Sequence, residues 1–186
     1  MKKRLFIAIT LPEDTRKKLF NSLTGVFLDN NNFKQIPIDN IHLTLKFISD
    51  FEEKNLNILK KTVSQAVEGF NAFYFKIGNQ INAFPRIDLA RIVFAPVTEG
   101  SDEIFKLFNL LENSLRKLKI KKEDKKFTAH ITLARIKNFV NLKDKVDFVK
   151  IPNIEPLICK KIVLFESILN QSGAKYIALG EFNLKK

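Results

Sequence analysis

Both histidines of this 186-residue chain stand in the same four-residue frame, which reads HLTL from His42 and HITL from His130. Because alternate residues of a β-strand point to one face, each histidine is expected to project beside the threonine that follows it, Thr44 or Thr132. Imidazole titrates near neutral pH, so two such groups form a pair in which one is an acid and the other a base. The sequence therefore predicts a paired acid–base site with hydroxyl groups beside it.

Cleavage of a phosphodiester needs this pairing. One imidazole can remove a proton from the attacking oxygen while the other protonates the leaving oxygen. The hydroxyls of Thr44 and Thr132 can donate hydrogen bonds to the non-bridging oxygens, and Arg135 can add a forked cationic contact. Strict alternation places Arg135 on the face opposite to His130, so its role requires a bulge or a strand end nearby.

Other kinds of catalytic site find less support. Two histidines without Asp, Glu or Cys at ligand spacing make a poor zinc site, so we predict no metal and no cofactor. The six glycines form no phosphate-binding loop, and no serine or cysteine nucleophile signature is present. We interpret Asp39 and Asp50 as loop or cap residues, and Lys46 and Lys137 as solvated lysines.

The composition is that of a globular protein with a strong positive charge. Lys and Arg number 32 against 20 Asp and Glu, a net charge of +12. This charge suits a phosphate-backbone binder, although a solvated lysine-rich surface explains it equally well. No apolar run approaches the ~20 residues of a membrane helix. The first residues are interpreted as a strand instead of a signal peptide, and the single cysteine, Cys159, predicts a reducing cytoplasm and a core position.

The first half predicts alternating strands and helices. We expect strands at residues 5–11, 41–48 and 73–77. Pro12 begins a helix whose apolar face carries Leu19, Leu23, Val26 and Phe27, and the pattern breaks at residues 30–32. Ser49 or Asp50 caps a second helix, whose buried face is predicted to contain Leu56, Leu59, Val63, Val67 and Phe70.

The second half repeats this order. Residues 91–96 resemble residues 4–9, and Ser101 caps a helix with an apolar face of Ile104, Phe105, Phe108, Leu111, Leu115 and Leu118. The second His-x-Thr strand then runs to Ile136. A short helix at residues 142–149, strands at 162–169 and 176–182, and a turn at 170–173 complete the prediction.

The repeat has nearly constant spacing. Arg4 and His42 are 38 positions apart, and Arg91 and His130 are 39 apart. We therefore predict one domain over residues 1–186 with an α+β fold, a bilobal pseudo-twofold duplication with lobes of approximately 1–89 and 90–186. Antiparallel sheets would line a central cleft with helices outside, and strands can be exchanged between the lobes. Chance similarity of two strand–helix units is the alternative.

The same residues resemble a known family, the two-histidine phosphoesterases, and within it the RNA 2′,3′-cyclic phosphodiesterases (the LigT-like or ThpR family). The resemblance spans the chain in order and includes residues 4–9, 11–12, 41–47, 84–85, 90–94, 129–135, 164–167 and 173–176. Two positions depart from the family pattern, because Ala129 stands where proline is usual and Phe94 where tryptophan is frequent.

The resemblance implies a metal-independent enzyme that opens a terminal 2′,3′-cyclic phosphate on RNA and leaves a 2′-phosphate. It implies that His42 donates a proton to the leaving 3′ oxygen and that His130 accepts one from water. Thr44, Thr132 and Arg135 would hold the phosphate. RNA ends are the implied partners of a cytoplasmic monomer that binds no membrane.

Two alternatives remain open. A related enzyme of this superfamily could act on 2′,5′-oligonucleotides or small cyclic nucleotides, or join RNA ends through 2′,5′ linkages. A non-catalytic RNA-binding module is a different class of function, and the intact histidines and threonines argue against it.

Overall fold

A continuous antiparallel sheet of ten strands runs through the part of the chain that the structure, a computed structural model, describes: residues 1–25, 32–147, 149–171 and 173–186. The strands are β1 Lys2–Thr10, β2 Phe33–Gln35, β3 His42–Glu52, β4 Phe73–Ile77, β5 Asn82–Phe84, β6 Ala90–Glu99, β7 His130–Val140, β8 Leu157–Cys159, β9 Lys161–Asn170 and β10 Gly173–Asn183. The helices are α1 Glu13–Asn21, α2 Leu56–Val67, α3 Ser101–Leu115 and α4 Lys143–Val146. The predicted α+β class with antiparallel strands is confirmed.

The order of the strands shows a pseudo-twofold arrangement. Along the sheet the order is β10-β9-β1-β3-β7-β6-β4-β8, with β2 beside β7 and β5 beside β6. The two His-x-Thr strands, β3 and β7, are thus neighbours at the centre, and Leu43 pairs with Ile131. The outer strands are exchanged between the sequence halves, because β9 pairs with β1 whereas β4 and β5 pair with β6. The division into lobes near residue 89 stays a prediction.

Helices α2 and α3 pack against each other, and they also contact strands β10 and β3, respectively. Their buried stripes have the helical spacing that the sequence predicts, and the fully buried members are Leu59, Val63, Val67, Ile104, Leu107, Leu111 and Leu115. Of these, Leu107 was not predicted. Phe105 was predicted on this stripe but is 48% exposed, at the edge of the helix face beside Phe108 and Phe127. No helix among the described residues has the length and apolar character needed to cross a bilayer.

Two predicted caps are wrong. Ser49 and Asp50 belong to β3, since this strand stays paired with β1 as far as Glu52, and α2 begins only at Leu56. Pairing with a neighbouring strand has overridden the local capping signal. Ser101 is the first residue of α3, and Gly100 precedes it with a φ of 74°. A side chain at Gly100 would clash with the carbonyl of Tyr74, so only glycine fits this turn.

Some predictions concern residues outside the described ranges, namely Val26, Phe27, Asn30, Asn31, and parts of the 142–149 helix and the 170–173 turn. Within the described part, α4 covers only Lys143–Val146. The sequence pattern missed β2, β5 and β8, each three residues long. Such short strands are defined by their partners because three residues are too few to show periodicity.

A buried ion pair joins β3 to α3 on the core side of the sheet. The side chains of Lys46 and Glu112 lie 2.5 Å apart and are 3% and 2% exposed. The Lys46 ammonium also donates to the carbonyl of Lys121 at 2.7 Å, and the Glu112 carboxylate accepts from the backbone N–H of Glu123 at 3.3 Å. The prediction that Lys46 is solvated is therefore wrong, and its contacts anchor the segment that leads from α3 to β7.

We predict that Lys46→Ala destabilises the protein by about 3–5 kcal/mol, because it leaves the Glu112 carboxylate buried without its cation. The double variant Lys46→Met/Glu112→Leu should recover most of this loss, since no charge then remains buried. Urea unfolding measures both effects. Lys17→Ala is the control, because it breaks an exposed pair with Glu13 and should cost less than about 1 kcal/mol. Equal losses in the free energy of unfolding for Lys46→Ala and Lys17→Ala would show that the buried pair does not matter for stability.

Candidate active site

The pairing of β3 with β7 brings the two sequence motifs to one place. Leu43 and Ile131, each of which lies between a histidine and its threonine, are direct partners in the antiparallel pair. Continued along the strands, this register sets His42 across from Thr132 and Thr44 across from His130. All four side chains occupy one face of the sheet, because Leu43 and Ile131 are fully buried on the other. The two motifs therefore form a single site.

A β-bulge in β7 controls the direction of Arg135. On the neighbouring strand β6, Val93 pairs with Ala134 and Phe94 pairs with Thr132, so Leu133 is an extra residue in β7. Leu133 and Ala134 both point into the core as a result, and Arg135 is exposed on the face of His130 and Thr132. The bulge that a phosphate-binding role of Arg135 requires is thus present.

A second bulge occupies the equivalent place in β3. Ile7 pairs with Lys46 and Ala8 pairs with Thr44, which leaves Leu45 as the extra residue. This bulge turns Lys46 into the core and Phe47 outward, where Phe47 is 55% exposed. Residues five positions after the two histidines thus share the site face, with a cation in one half and an aromatic ring in the other.

Backbone carbonyls orient both imidazole rings. The Nδ1–H of His42 donates to the carbonyl of Asn40, and the Nδ1–H of His130 donates to the carbonyl of Thr128, each at 2.7 Å. In the neutral ring the proton therefore sits on Nδ1, and Nε2 carries the lone pair. The Nε2 atom of His42 lies 2.9 Å from the hydroxyl oxygen of Thr44, which donates to it in this tautomer.

Aromatic rings enclose each histidine. Phe6 stacks on His42 with ring centroids 5.0 Å apart, and Tyr176 approaches it edge-on at 5.4 Å. Phe84 and Phe94 pack against His130 at 5.0 and 5.2 Å. Phe94, the residue where the sequence resemblance led us to expect tryptophan, thus contacts the histidine with its ring.

This environment lowers the pKa of both imidazoles. The pKa of His42 is lowered to about 4, chiefly by burial and to a smaller extent by the Arg135 charge and by any proton on His130, while the hydrogen bond to the Asn40 carbonyl opposes the shift. Burial and the charge of Arg135 lower the pKa of His130, and its bond to Thr128 opposes them. His42 is therefore neutral at pH 7 in the free protein, and its proton affinity depends on the charge of the other groups in the site.

A cavity of about 230 Å³ opens beside His42. Its walls include Phe165 and Tyr176 from the β9–β10 hairpin, Arg16 from α1, and Asp39 from the 3₁₀ turn before β3. The sequence pattern did not identify these residues, and Asp39 was interpreted only as a loop or cap residue. They lie on four separate elements, so no spacing in the sequence connects them.

A metal site and a cysteine nucleophile are the other kinds of catalytic group to compare with the structure. Among the described residues, no group of three or more His, Cys, Asp and Glu side chains is placed to hold a metal ion. Cys159 is buried, as predicted, and burial raises the pKa of its thiol to about 12. A thiol with this pKa is not a nucleophile near neutral pH.

Several curated proteins resemble the chain over most of its length. RNA 2′,3′-cyclic phosphodiesterases from Thermotoga maritima and Aeropyrum pernix are 27% and 31% identical to it, over 96% and 80% of this chain and 94% and 84% of theirs. The crystal structure of TT0787 from Thermus thermophilus has a TM-score of 0.77 and 26% identity, with 97% of both chains covered. Escherichia coli LigT complexed with 3′-AMP, 18% identical and covered completely in both chains, shares the fold with a TM-score of 0.82.

The sequence profile of the LigT-like phosphoesterases matches the chain in two successive segments, residues 9–90 and 94–176. The first segment contains His42 and the second contains His130. Together they cover most of the chain, and each includes one of the strands that meet at the centre of the sheet. The chain therefore belongs to the LigT-like phosphoesterase family.

Proposed function

We propose that this protein hydrolyses the terminal 2′,3′-cyclic phosphate of RNA to a 2′-phosphomonoester. The observation that carries the proposal is the meeting of two carbonyl-anchored histidines on one face of β3 and β7, each across from a threonine. The relatives named RNA 2′,3′-cyclic phosphodiesterase support the choice of substrate.

The proposed reaction is an acid–base hydrolysis. His130 accepts a proton from a water molecule through Nε2, and the water oxygen bonds to phosphorus. The bond from phosphorus to the 3′ oxygen breaks, and protonated His42 gives its Nε2 proton to that oxygen. His130 ends the step protonated and His42 neutral, so exchange with solvent restores the starting state.

Thr44, Thr132 and Arg135 hold the phosphate in this proposal. The hydroxyl of Thr44 donates to neutral His42 in the free protein. When His42 is protonated it no longer accepts a hydrogen bond, and the Thr44 hydroxyl can donate to a phosphate oxygen. Thr132 supplies the equivalent hydroxyl, and the guanidinium of Arg135 donates to the charge that develops on the non-bridging oxygens.

Binding of the substrate must also cause His42 to take up a proton. This histidine has a pKa of about 4 in the free protein, mainly because it is buried and partly because of the nearby charge on Arg135. A phosphodiester anion beside the Arg135 guanidinium offsets its charge and raises the pKa of His42. Substrate and proton therefore bind together, and the general acid is formed in the complex.

The positive charge of the chain supports an RNA end as substrate over a small cyclic nucleotide. The segment at residues 117–126 leads towards His130, and its six lysines, Lys117, Lys119, Lys121, Lys122, Lys125 and Lys126, are exposed. An RNA chain offers further phosphates to such a surface, whereas a mononucleotide does not.

A cytoplasmic location and a monomeric state stay predictions.

The first test concerns the two histidines. We expect His42→Ala and His130→Ala each to lower kcat by at least about 100-fold, because each removes an acid or a base. The assay uses an oligonucleotide with a 2′,3′-cyclic end in the presence of EDTA and maps the phosphate of the product. A 2′,5′-linked dinucleotide is assayed in parallel to separate the related activity. Thr62→Ala, a change at a partly exposed residue of α2 away from the site, is the control and should leave kcat unchanged.

Three results would contradict this mechanism: near-normal turnover by either folded histidine variant, a 3′-phosphate as product, or a complete loss of activity in EDTA that added metal restores. Urea unfolding of each variant shows whether a loss of activity reflects a loss of the fold.

The second test measures the coupling between substrate and proton. In a His130→Ala background, 2′,3′-cyclic AMP should bind with net uptake of a proton at about pH 6. The sign follows from the pKa of His42: at a pH between its low free value and its raised bound value, the complex holds a proton that the free protein lacks. Calorimetry in buffers of different ionisation enthalpy measures the uptake.

The matched variant His42→Gln/His130→Ala should bind the same nucleotide with no proton uptake. The cyclic phosphodiester keeps one negative charge throughout this range, so the ligand itself does not contribute. Equal uptake by both variants, or proton release by the first, would exclude His42 as the group that is protonated on binding.

A further inference from the structure

The cavity beside His42 combines aromatic walls with a charged end. We propose that it binds the nucleobase of the terminal nucleotide, and that Arg16 and Asp39 select guanine over uracil. This inference depends on the proposed function for the position of the ribose. The base identity, however, is inferred from the residues that line the cavity.

The size and walls of the cavity suit one base. Its volume of about 230 Å³ lies below the roughly 300–1,000 Å³ of pockets for drug-sized ligands. Phe165 and Tyr176 form an aromatic corner with ring centroids 6.4 Å apart, and both rings are only half-buried. Aromatic surfaces of this kind stack on bases.

The position of the cavity matches the chemistry at His42. In the proposed reaction His42 protonates the 3′ oxygen, while water enters on the side of His130. The base is attached to the ribose that carries this 3′ oxygen, so it must lie on the His42 side of the phosphate. The cavity is lined by His42 itself and by its cross-strand neighbour Thr10.

Arg16 lines the cavity and forms an ion pair with Asp39 there. Its Nη1 atom donates to the carboxylate of Asp39 at 3.1 Å and to the carbonyl of Ile38 at 3.4 Å. Its Nε atom is buried and has no hydrogen-bond partner among the described residues. Water does not reach this buried atom, so a bound base would have to accept from the terminal nitrogens of the guanidinium instead.

Asp39 adds an acceptor next to this donor. Its side chain is 94% exposed, and only one of its oxygens contacts Arg16 through a short ion pair. The other oxygen is available to accept from a ligand. The pair thus presents a cation and an anion side by side at the charged end of the cavity.

Guanine complements this pair best. Its N1–H and N2–H donors are adjacent and can both reach one carboxylate, while its O6 atom can accept from the guanidinium. Uracil has a single N–H between two carbonyl oxygens, and these oxygens would repel the carboxylate. Adenine and cytosine each offer one amino group and one neighbouring acceptor, so their binding should be intermediate.

The test compares 2′,3′-cyclic GMP and 2′,3′-cyclic UMP as substrates. We expect the protein to favour the guanine nucleotide in kcat/KM by about tenfold or more, as for one bidentate base contact. Asp39→Asn should abolish most of this preference by raising KM for the guanine nucleotide, with kcat nearly unchanged. Asp14→Asn is the matched control, because it removes an exposed carboxylate from α1 outside the cavity.

A binding measurement separates this inference from the proposed function. The variant His130→Ala, with and without Asp39→Asn, is titrated with guanosine 2′-phosphate and uridine 2′-phosphate. Preference for guanosine that requires Asp39, without hydrolysis of the 2′,3′-cyclic end of an oligonucleotide by the unaltered protein, would uphold the base site and reject the proposed function. Hydrolysis of both nucleotides at equal rates, unaffected by Asp39→Asn, would reject the base site and leave the function intact.

Discussion

The pairing of Leu43 with Ile131 is the contact on which the site depends. It joins the two halves of the sheet, and its register determines which residues of β3 and β7 face each other. A shift of one residue would move one histidine and its threonine to the core face, because side chains alternate along a strand. The two partners are fully buried, so the hydrophobic core itself opposes such a shift.

The two bulges show how one backbone device produces different results in two related strands. Each bulge adds one residue after the His-x-Thr motif and reverses the facing of the residues that follow. In β7 the reversal brings Arg135 to the site and Ala134 to the core. In β3 it brings Phe47 to the site and buries Lys46, whose charge then requires Glu112. The buried ion pair is thus a consequence of the bulge in β3.

The electrostatics of the site follow from the same arrangement. Burial among aromatic neighbours and the nearby Arg135 cation disfavour a proton on His42, while the Asn40 carbonyl anchors the ring. Such a site favours an anion, because a bound phosphodiester would reverse the balance of charge. In the proposed mechanism the pKa shift therefore links substrate binding to the formation of the acid. The adjoining cavity adds a second charged contact for a ligand, because Arg16 and Asp39 pair at its wall.

The sequence alone determined the elements that carry the chemistry, because the repeated frame around His42 and His130 combines with strand periodicity, and the amphipathic stripes of α2 and α3 show in their spacing. It also indicated that Arg135 would need a bulge. Only the tertiary structure decided where the bulges lie, that the outer strands are exchanged, and that Lys46 is buried. It likewise brought Arg16, Asp39 and Tyr176 together. The physical reason is that these features arise from pairing and packing between distant segments, which leave no local period in the chain.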